Sequence, residues 1–162
     1  MARGNGIIVS AEPGGRFEEG FVGTGETHYP GMLVQRDASV ALVGDRHTYK
    51  LYAPGTDGEH PKGAFWVVLP DFLQGKTASD SFAAGERLFL YSPQAGEELN
   101  LLIKNIDGTG DDHTKGEMLI ADTGTGMLIA TTGTPETEVA QLLETLTDPT
   151  VDTLAWCQWT GH

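Results

Sequence analysis

Cysteine is nearly absent: Cys157 stands alone in 162 residues, so neither an internal disulfide nor a CxxC redox or zinc pair can form. A small, buried thiol is the expectation for it. Basic residues are scarce too, with 10 Lys and Arg against 23 Asp and Glu. They are scattered, with no cluster to track a phosphate backbone, which excludes direct nucleic-acid binding. Long apolar runs are missing as well. No stretch approaches the roughly 18 consecutive apolar residues of a membrane span, and Met1 to Asn5 lack the apolar core of a secretory signal. The chain is therefore expected in soluble form, with no membrane partner.

Glycine is plentiful, at 22 residues beside 8 Pro, and the two cut the chain into short apolar runs between turn signals, the pattern of an all-β sandwich or barrel. The length suits one domain able to bury roughly 70% of its unfolded surface. Candidate strands are Gly6 to Ala11, Arg16 to Val22, Met32 to Arg36, Val40 to Val43, Tyr49 to Tyr52, Ala64 to Leu69, Arg87 to Tyr91, Glu98 to Lys104, Glu117 to Ala121 and Gly126 to Thr131. The run from Gly116 to Ala130 echoes Met118-Leu119-Ile120 in Met127-Leu128-Ile129 across a glycine-containing turn, which is the signature of a hairpin. Thr134-Pro135-Glu136 resembles a helix start, and Val139, Leu142, Leu143 and Leu146 fit a helical stripe. Local rules thus favour a helix to about Leu146. The alternative is a closing hairpin, with Thr147-Asp148-Pro149-Thr150 as its turn. At most one short helix is expected in a mainly β chain.

Charge is unevenly distributed. Beyond Lys115 stand Glu117, Asp122, Glu136, Glu138, Glu144, Asp148 and Asp152, with no Lys or Arg; such a half is either a solubilising face or a complement to a basic protein surface.

Signals for chemistry are weak. Gln74-Gly75-Lys76-Thr77 ends like a phosphate-binding loop, but Pro70 occupies the place of its first glycine. Asp107, Asp111, Asp112 and His113 share a Gly-containing loop without the alternate-residue spacing of a calcium hand. The histidines (His28, His47, His60, His113, His162) are dispersed, leaving zinc no local signature. Glu97 and Glu98 would point to opposite sides of a strand. No catalytic, cofactor or metal residue is assigned, and the chain is not expected to be an enzyme.

One stretch is more specific. Leu73-Gln-Gly-Lys-Thr-Ala-Ser-Asp-Ser-Phe-Ala-Ala-Gly-Glu-Arg87, followed by Tyr91-Ser-Pro-Gln-Ala-Gly-Glu-Glu-Leu99, resembles the head-decoration or capsid cement proteins of tailed bacteriophages. In that family an LQGKT-type segment leads to an AAG(D/E) turn, a strand, and a PxxGDE-type turn. Tyr29-Pro30-Gly31-Met32-Leu33 is similar to the family's PGM-type strand start, and Gly116-Glu-Met-Leu119 to its later GD-L-L segment, so the resemblance spans about residues 29 to 130.

The resemblance implies a β-barrel or β-tulip-like domain with long loops that binds the outer surface of an assembled phage head at subunit junctions and stabilises it. Residues 1–15 would form an N-terminal arm and first strand, and 16–162 a single decoration domain. Partners would be the major capsid protein and further copies of the chain, as a homotrimer or a dimer. The protein would be made in the host cytoplasm and end on the virion surface. Contact residues are expected at Arg3 in the arm and at Leu73, Gln74, Lys76, Thr77, Asp80 and Phe82, with Leu73 and Phe82 as apolar anchors and Lys76 as an exposed charge. Two other readings are an adhesion module for host polysaccharide, which requires exposed Trp and Tyr, and a small β-barrel enzyme, which requires a concave polar pocket.

Overall fold

The computed structural model describes residues 7–10, 15–52, 65–105, 112–122, 124–130, 138–147, 149 and 151–160. Its strands are β1 (Ile8–Ser10), β2 (Arg16–Val22), β3 (Thr27–His28), β4 (Leu33–Arg36), β5 (Thr48–Leu51), β6 (Phe65–Leu69), β7 (Phe82–Ala83), β8 (Arg87–Ser92), β9 (Glu98–Ile103), β10 (Met118–Ala121), β11 (Leu128–Ala130), β12 (Glu138–Leu142) and β13 (Thr153–Trp159). The only helical element among the described residues is a 3₁₀ turn at Phe72–Gln74. The chain is all-β, as its glycine-punctuated apolar runs require.

The strands close into two rings. The first is a barrel in the order β2-β5-β4-β6-β8, with β2 and β5 parallel and the other pairs antiparallel. In the second, β9, β11, β10, β12 and β13 follow one another, and β13 returns to β9 along six register pairs from Thr153↔Ile103 to Gln158↔Glu98. β1 adds to β9 at Leu99 and Glu98, and β3 pairs with β7 as a small separate ribbon.

Side chains alternate across a strand, and along β6 of the first barrel both faces are buried. Val34, Trp66, Val68, Leu88 and Leu90 turn inward with Val22 and Tyr49. Their neighbours Leu33, Val67, Leu69 and Tyr91 turn outward into a second apolar cluster that holds Leu99, Leu101, Leu119, Leu128, Leu142, Cys157 and Trp159 of the other ring. This is why Phe65-Trp66-Val67-Val68-Leu69 reads as an unbroken apolar run. Each buried Leu contributes about 1.5–3 kcal/mol. Cys157 is fully buried, and burial pushes its thiol pKa far up.

Backbone contacts lock the rings together. Gly31 N donates to Val68 O at 2.9 Å, while Gly31 O accepts from Leu102 N of β9 at 3.1 Å. At φ +86°, a side chain on Gly31 would stand 2.5 Å from Leu154 Cδ2 and 3.0 Å from Leu102 N. Gly126 makes the reciprocal approach, accepting from Leu33 N at 2.6 Å. The Pro30-Gly31 turn therefore does more than start a strand.

Two expectations are corrected. Val139 to Leu146 does not form the helix that its spacing favours: β12 pairs with β13 through Ala140↔Trp159 and Leu142↔Cys157, the closing hairpin. Val40 to Val43 is not a strand; it makes only the isolated bridge Val43↔Arg46 and leaves Val40, Leu42 and Val43 exposed. Two short strands, β3 and β7, carried no readable signal. The hairpin expected within Gly116 to Ala130 is present as β10 and β11. The N-terminal five residues lie outside the described residues.

Candidate interaction site

The segment between β6 and β8 is built around Asp71. Its Oδ1 accepts from Leu73 N at 3.0 Å and Gln74 N at 3.3 Å, capping the 3₁₀ turn. Its Oδ2 accepts from Gln74 Nε2 at 2.6 Å and from Arg87 Nη2 at 2.8 Å. Burial alone would push the Asp71 carboxyl up, but the hydrogen bonds from Gln74 and Arg87 outweigh it and hold the group below the usual carboxylate range. Gly75, left-handed at φ 72°, ends the turn and donates to Phe72 O at 3.1 Å. The consequence is a braced turn that holds Phe72 and Leu73 in solvent, 70% and 92% exposed.

The expected contact residues separate into outward and inward groups. Leu73, Gln74 and Thr77 are exposed, with Gln74 also tied back to Arg87 O at 3.1 Å. Lys76 is not a free charge: Nζ donates to Ser81 O at 2.7 Å and Glu86 Oε2 at 3.0 Å and lies 5.4 Å from the Phe82 ring centre. Asp80 accepts from Thr77 N at 2.7 Å and Thr77 Oγ1 at 2.6 Å, closing the next turn. Phe82 is fully buried in the barrel interior, so it anchors the loop to its own chain. Arg3 lies outside the described residues. Phe72 was missed, although an Asp before it and a Gly after Gln74 are the flanking signals of a short capped turn that turns its middle outward.

A concavity of about 490 Å³ opens where the rings meet, lined by Tyr29, Pro30 and Met32 on one side and Leu102, Met127 and Leu154 on the other, with Ala78, Ser79, Asp152 and Thr153 completing it. Its polar side chains are those of Tyr29, Ser79, Asp152 and Thr153. Among the described residues no group of three or more His, Cys, Asp or Glu could hold a metal ion; Asp107 and Asp111 lie outside them, and His113 Nδ1 contacts Glu117 Oε2 at 3.1 Å.

The rings differ in charge. In the first, Arg36, Arg46, Lys50, Lys76 and Arg87 pair with Glu18, Glu19, Asp37, Glu86 and Asp71. In the second, Lys104 is matched by Asp122, and its described residues hold more acids, among them Glu98, Glu117, Glu138, Glu144 and Asp152, than Lys or Arg.

The chain shares its fold with a phage head-fiber base. In structure it is similar to the head fiber gp8.5 N base of bacteriophage phi29, at a TM-score of 0.55 and 11% sequence identity, over 90% of this chain and 94% of that one. No family model matches the chain, and no curated protein matches it. At this identity the likeness speaks for architecture, and it spans both rings.

The aromatics are arranged for packing. Trp66 and Trp159 are buried, and half-buried Trp156 donates from Nε1 to Glu98 Oε2 at 3.1 Å. Tyr49, Tyr52 and Tyr91 are buried, and the exposed aromatics among the described residues are Tyr29, Phe17 and Phe72.

Proposed function

We propose that this protein is a structural component of a tailed-phage head: a decoration or cement protein that binds the outside of the assembled shell at subunit junctions and stabilises it. The observation that carries the reading is the near full-length likeness to a head-fiber base. Independent support comes from the head-decoration-like stretch Leu73 to Leu99, whose turns take the shapes its residues imply: Glu86 N donates to Ala83 O at 3.0 Å and Glu97 N to Gln94 O at 3.2 Å.

The partner is the major capsid protein, met by the acidic second ring as the complement of a basic shell surface. No catalytic step is assigned, because the role needs none. A ligand that binds only the assembled state stabilises it by mass action. The protein should co-sediment with purified expanded capsids and not with unexpanded ones, more weakly as salt rises, and saturated shells should disrupt at a higher temperature than bare ones. Equal disruption temperatures at saturation would overturn the cement role, and absence from the pellet would overturn shell binding itself.

A further inference from the structure

We propose that His28 is an acid-triggered latch: uptake of a proton by its buried ring opens the β3–β7 ribbon and frees the Lys76 and Phe82 anchorage of the loop between β6 and β8. The device belongs to the single chain and needs no shell, so it stands apart from the capsid-binding reading.

The ring sits where a charge is poorly held. His28 is fully buried, and among the described residues neither Nδ1 nor Nε2 finds a hydrogen-bonding partner. A neutral imidazole there already leaves a donor and an acceptor unsatisfied, and a second proton adds a charge to the same dry site. The anion beside it is Glu26, whose Oε2 lies 3.0 Å from Nε2. That oxygen already accepts from Leu51 N at 2.7 Å, and Lys50 attracts the same carboxylate while Asp37 repels it. Burial also holds Glu26 above the ordinary carboxylate range, so acidification neutralises it early. Across the ribbon His28 faces Phe82. Beyond that ring stands a cation, Lys76 Nζ, 5.4 Å from its centre, and Glu86 is committed to Lys76 and to Ala83 N.

The element the ring belongs to is thinly paired. The ribbon consists of Thr27↔Ala83 and His28↔Phe82 and joins neither ring's sheet, whereas the barrel strands are paired on both sides. Segments with few pairings open at free energies well below that of the whole chain. Phe82 carries the consequence outward. It is buried in the barrel interior, and Lys76, which lies over its ring, is tied to the neighbouring Ser81 O at 2.7 Å. Opening of the ribbon therefore releases the inner end of the loop, while the Asp71–Arg87 contact still holds the other end.

Amide hydrogen exchange of the full chain between pH 7.5 and 5, corrected for the intrinsic pH dependence of exchange, tests the latch. Peptides spanning residues 26–29 and 76–84 should open with an equilibrium constant larger than that of global unfolding measured by denaturant. That constant should rise about 30-fold on acidification, as a ring that titrates at 6.5 when released and at about 4 when buried requires. Peptides from residues 153–159 of β13 should follow global unfolding alone. In His28→Gln most of the rise at the ribbon should disappear, with His28→Leu as a second variant if the first does not fold; strand-rich circular dichroism at pH 7.5 establishes folding. A ribbon that opens no more readily than the whole chain, an opening constant flat across the range, or an equal rise in a folded variant without the histidine would each overturn the proposal.

Discussion

The Tyr91 hydroxyl donates to Glu97 Oε1 at 2.7 Å in full burial. Tyr91 belongs to β8 of the first barrel, and Glu97 opens the second ring, where its backbone O accepts from Trp159 N at 2.8 Å and its Oε2 from Gln94 N at 2.8 Å. A carboxylate inside an otherwise apolar junction is costly unless its oxygens are bonded. Burial and this neighbour also push the Tyr91 phenol pKa far up, keeping it a donor.

Tyr91→Phe should therefore destabilise the chain by about 1–3 kcal/mol, because the buried acceptor outlasts its donor. Glu97→Gln in the Tyr91→Phe background should cost less than the separate losses combined. Denaturant unfolding of the four proteins measures this, and strict additivity would show that the pair is not coupled.

At Gly31 two separable costs are expected. A left-handed residue with a side chain costs about 1–2 kcal/mol, and Gly85, at φ +80° with nothing near a built side chain, isolates that term. Gly31→Ala must also displace Leu154 and crowd the β9 backbone, which adds about 1–3 kcal/mol of overpacking. Thermal unfolding should rank Gly31→Ala well below Gly85→Ala; equal losses would mean that the rings tolerate separation there.

Much of the first barrel was legible because its strands are local and their turns explicit: β2 has the expected bounds, Arg16–Val22. The helix expected after Pro135 had a specific cause. The β12 register shifts between Leu119 and Ile120 of its partner, so Val139 and Ala140 are both buried, and the irregularity hides the period of two while Val139, Leu142 and Leu146 imitate one of 3.6. Closure of the second ring rests on β9 and β13, some fifty residues apart, for which no local pattern exists. In the loop between β6 and β8, the sequence did not reveal which side chains face outward. Lys76 and Phe82 look like contact residues until the fold turns them inward.

That orientation decides which substitution can probe the loop. Lys76→Glu would place a second carboxylate against Glu86 and strip Ser81 O of its donor, so it should lower stability by about 1–3 kcal/mol. Leu73→Glu should stay within about 0.5 kcal/mol of the parent. Chemical denaturation compares them directly, and a Lys76→Glu variant as stable as the parent would show the lysine to be dispensable to the loop.

The last prediction concerns His28, fully buried in β3, whose Nε2 lies 3.0 Å from Glu26 Oε2 although neither ring nitrogen has a hydrogen-bonding partner. The carboxylate favours the charged ring and burial opposes it; burial prevails, and the pKa falls from 6.5 to about 4. As pH drops below 6.5 the unfolded chain takes up this proton while the folded chain refuses it until about pH 4, so the unfolded state binds more protons and stability falls across that window. The loss amounts to about 2–4 kcal/mol. Glu26, raised by its own burial and by Asp37 although Leu51 N and Lys50 oppose them, acts with the opposite sign above the ordinary carboxylate range. Asp37, Asp71 and Glu86, held low by their hydrogen bonds, lose their contribution only below the ordinary carboxylate range. Comparing the parent with His28→Gln extracts the His28 contribution between pH 6.5 and 5. Unfolding free energies of the parent should decline across it and those of His28→Gln should be flatter; parallel curves for the two proteins would mean that His28 is protonated in the fold.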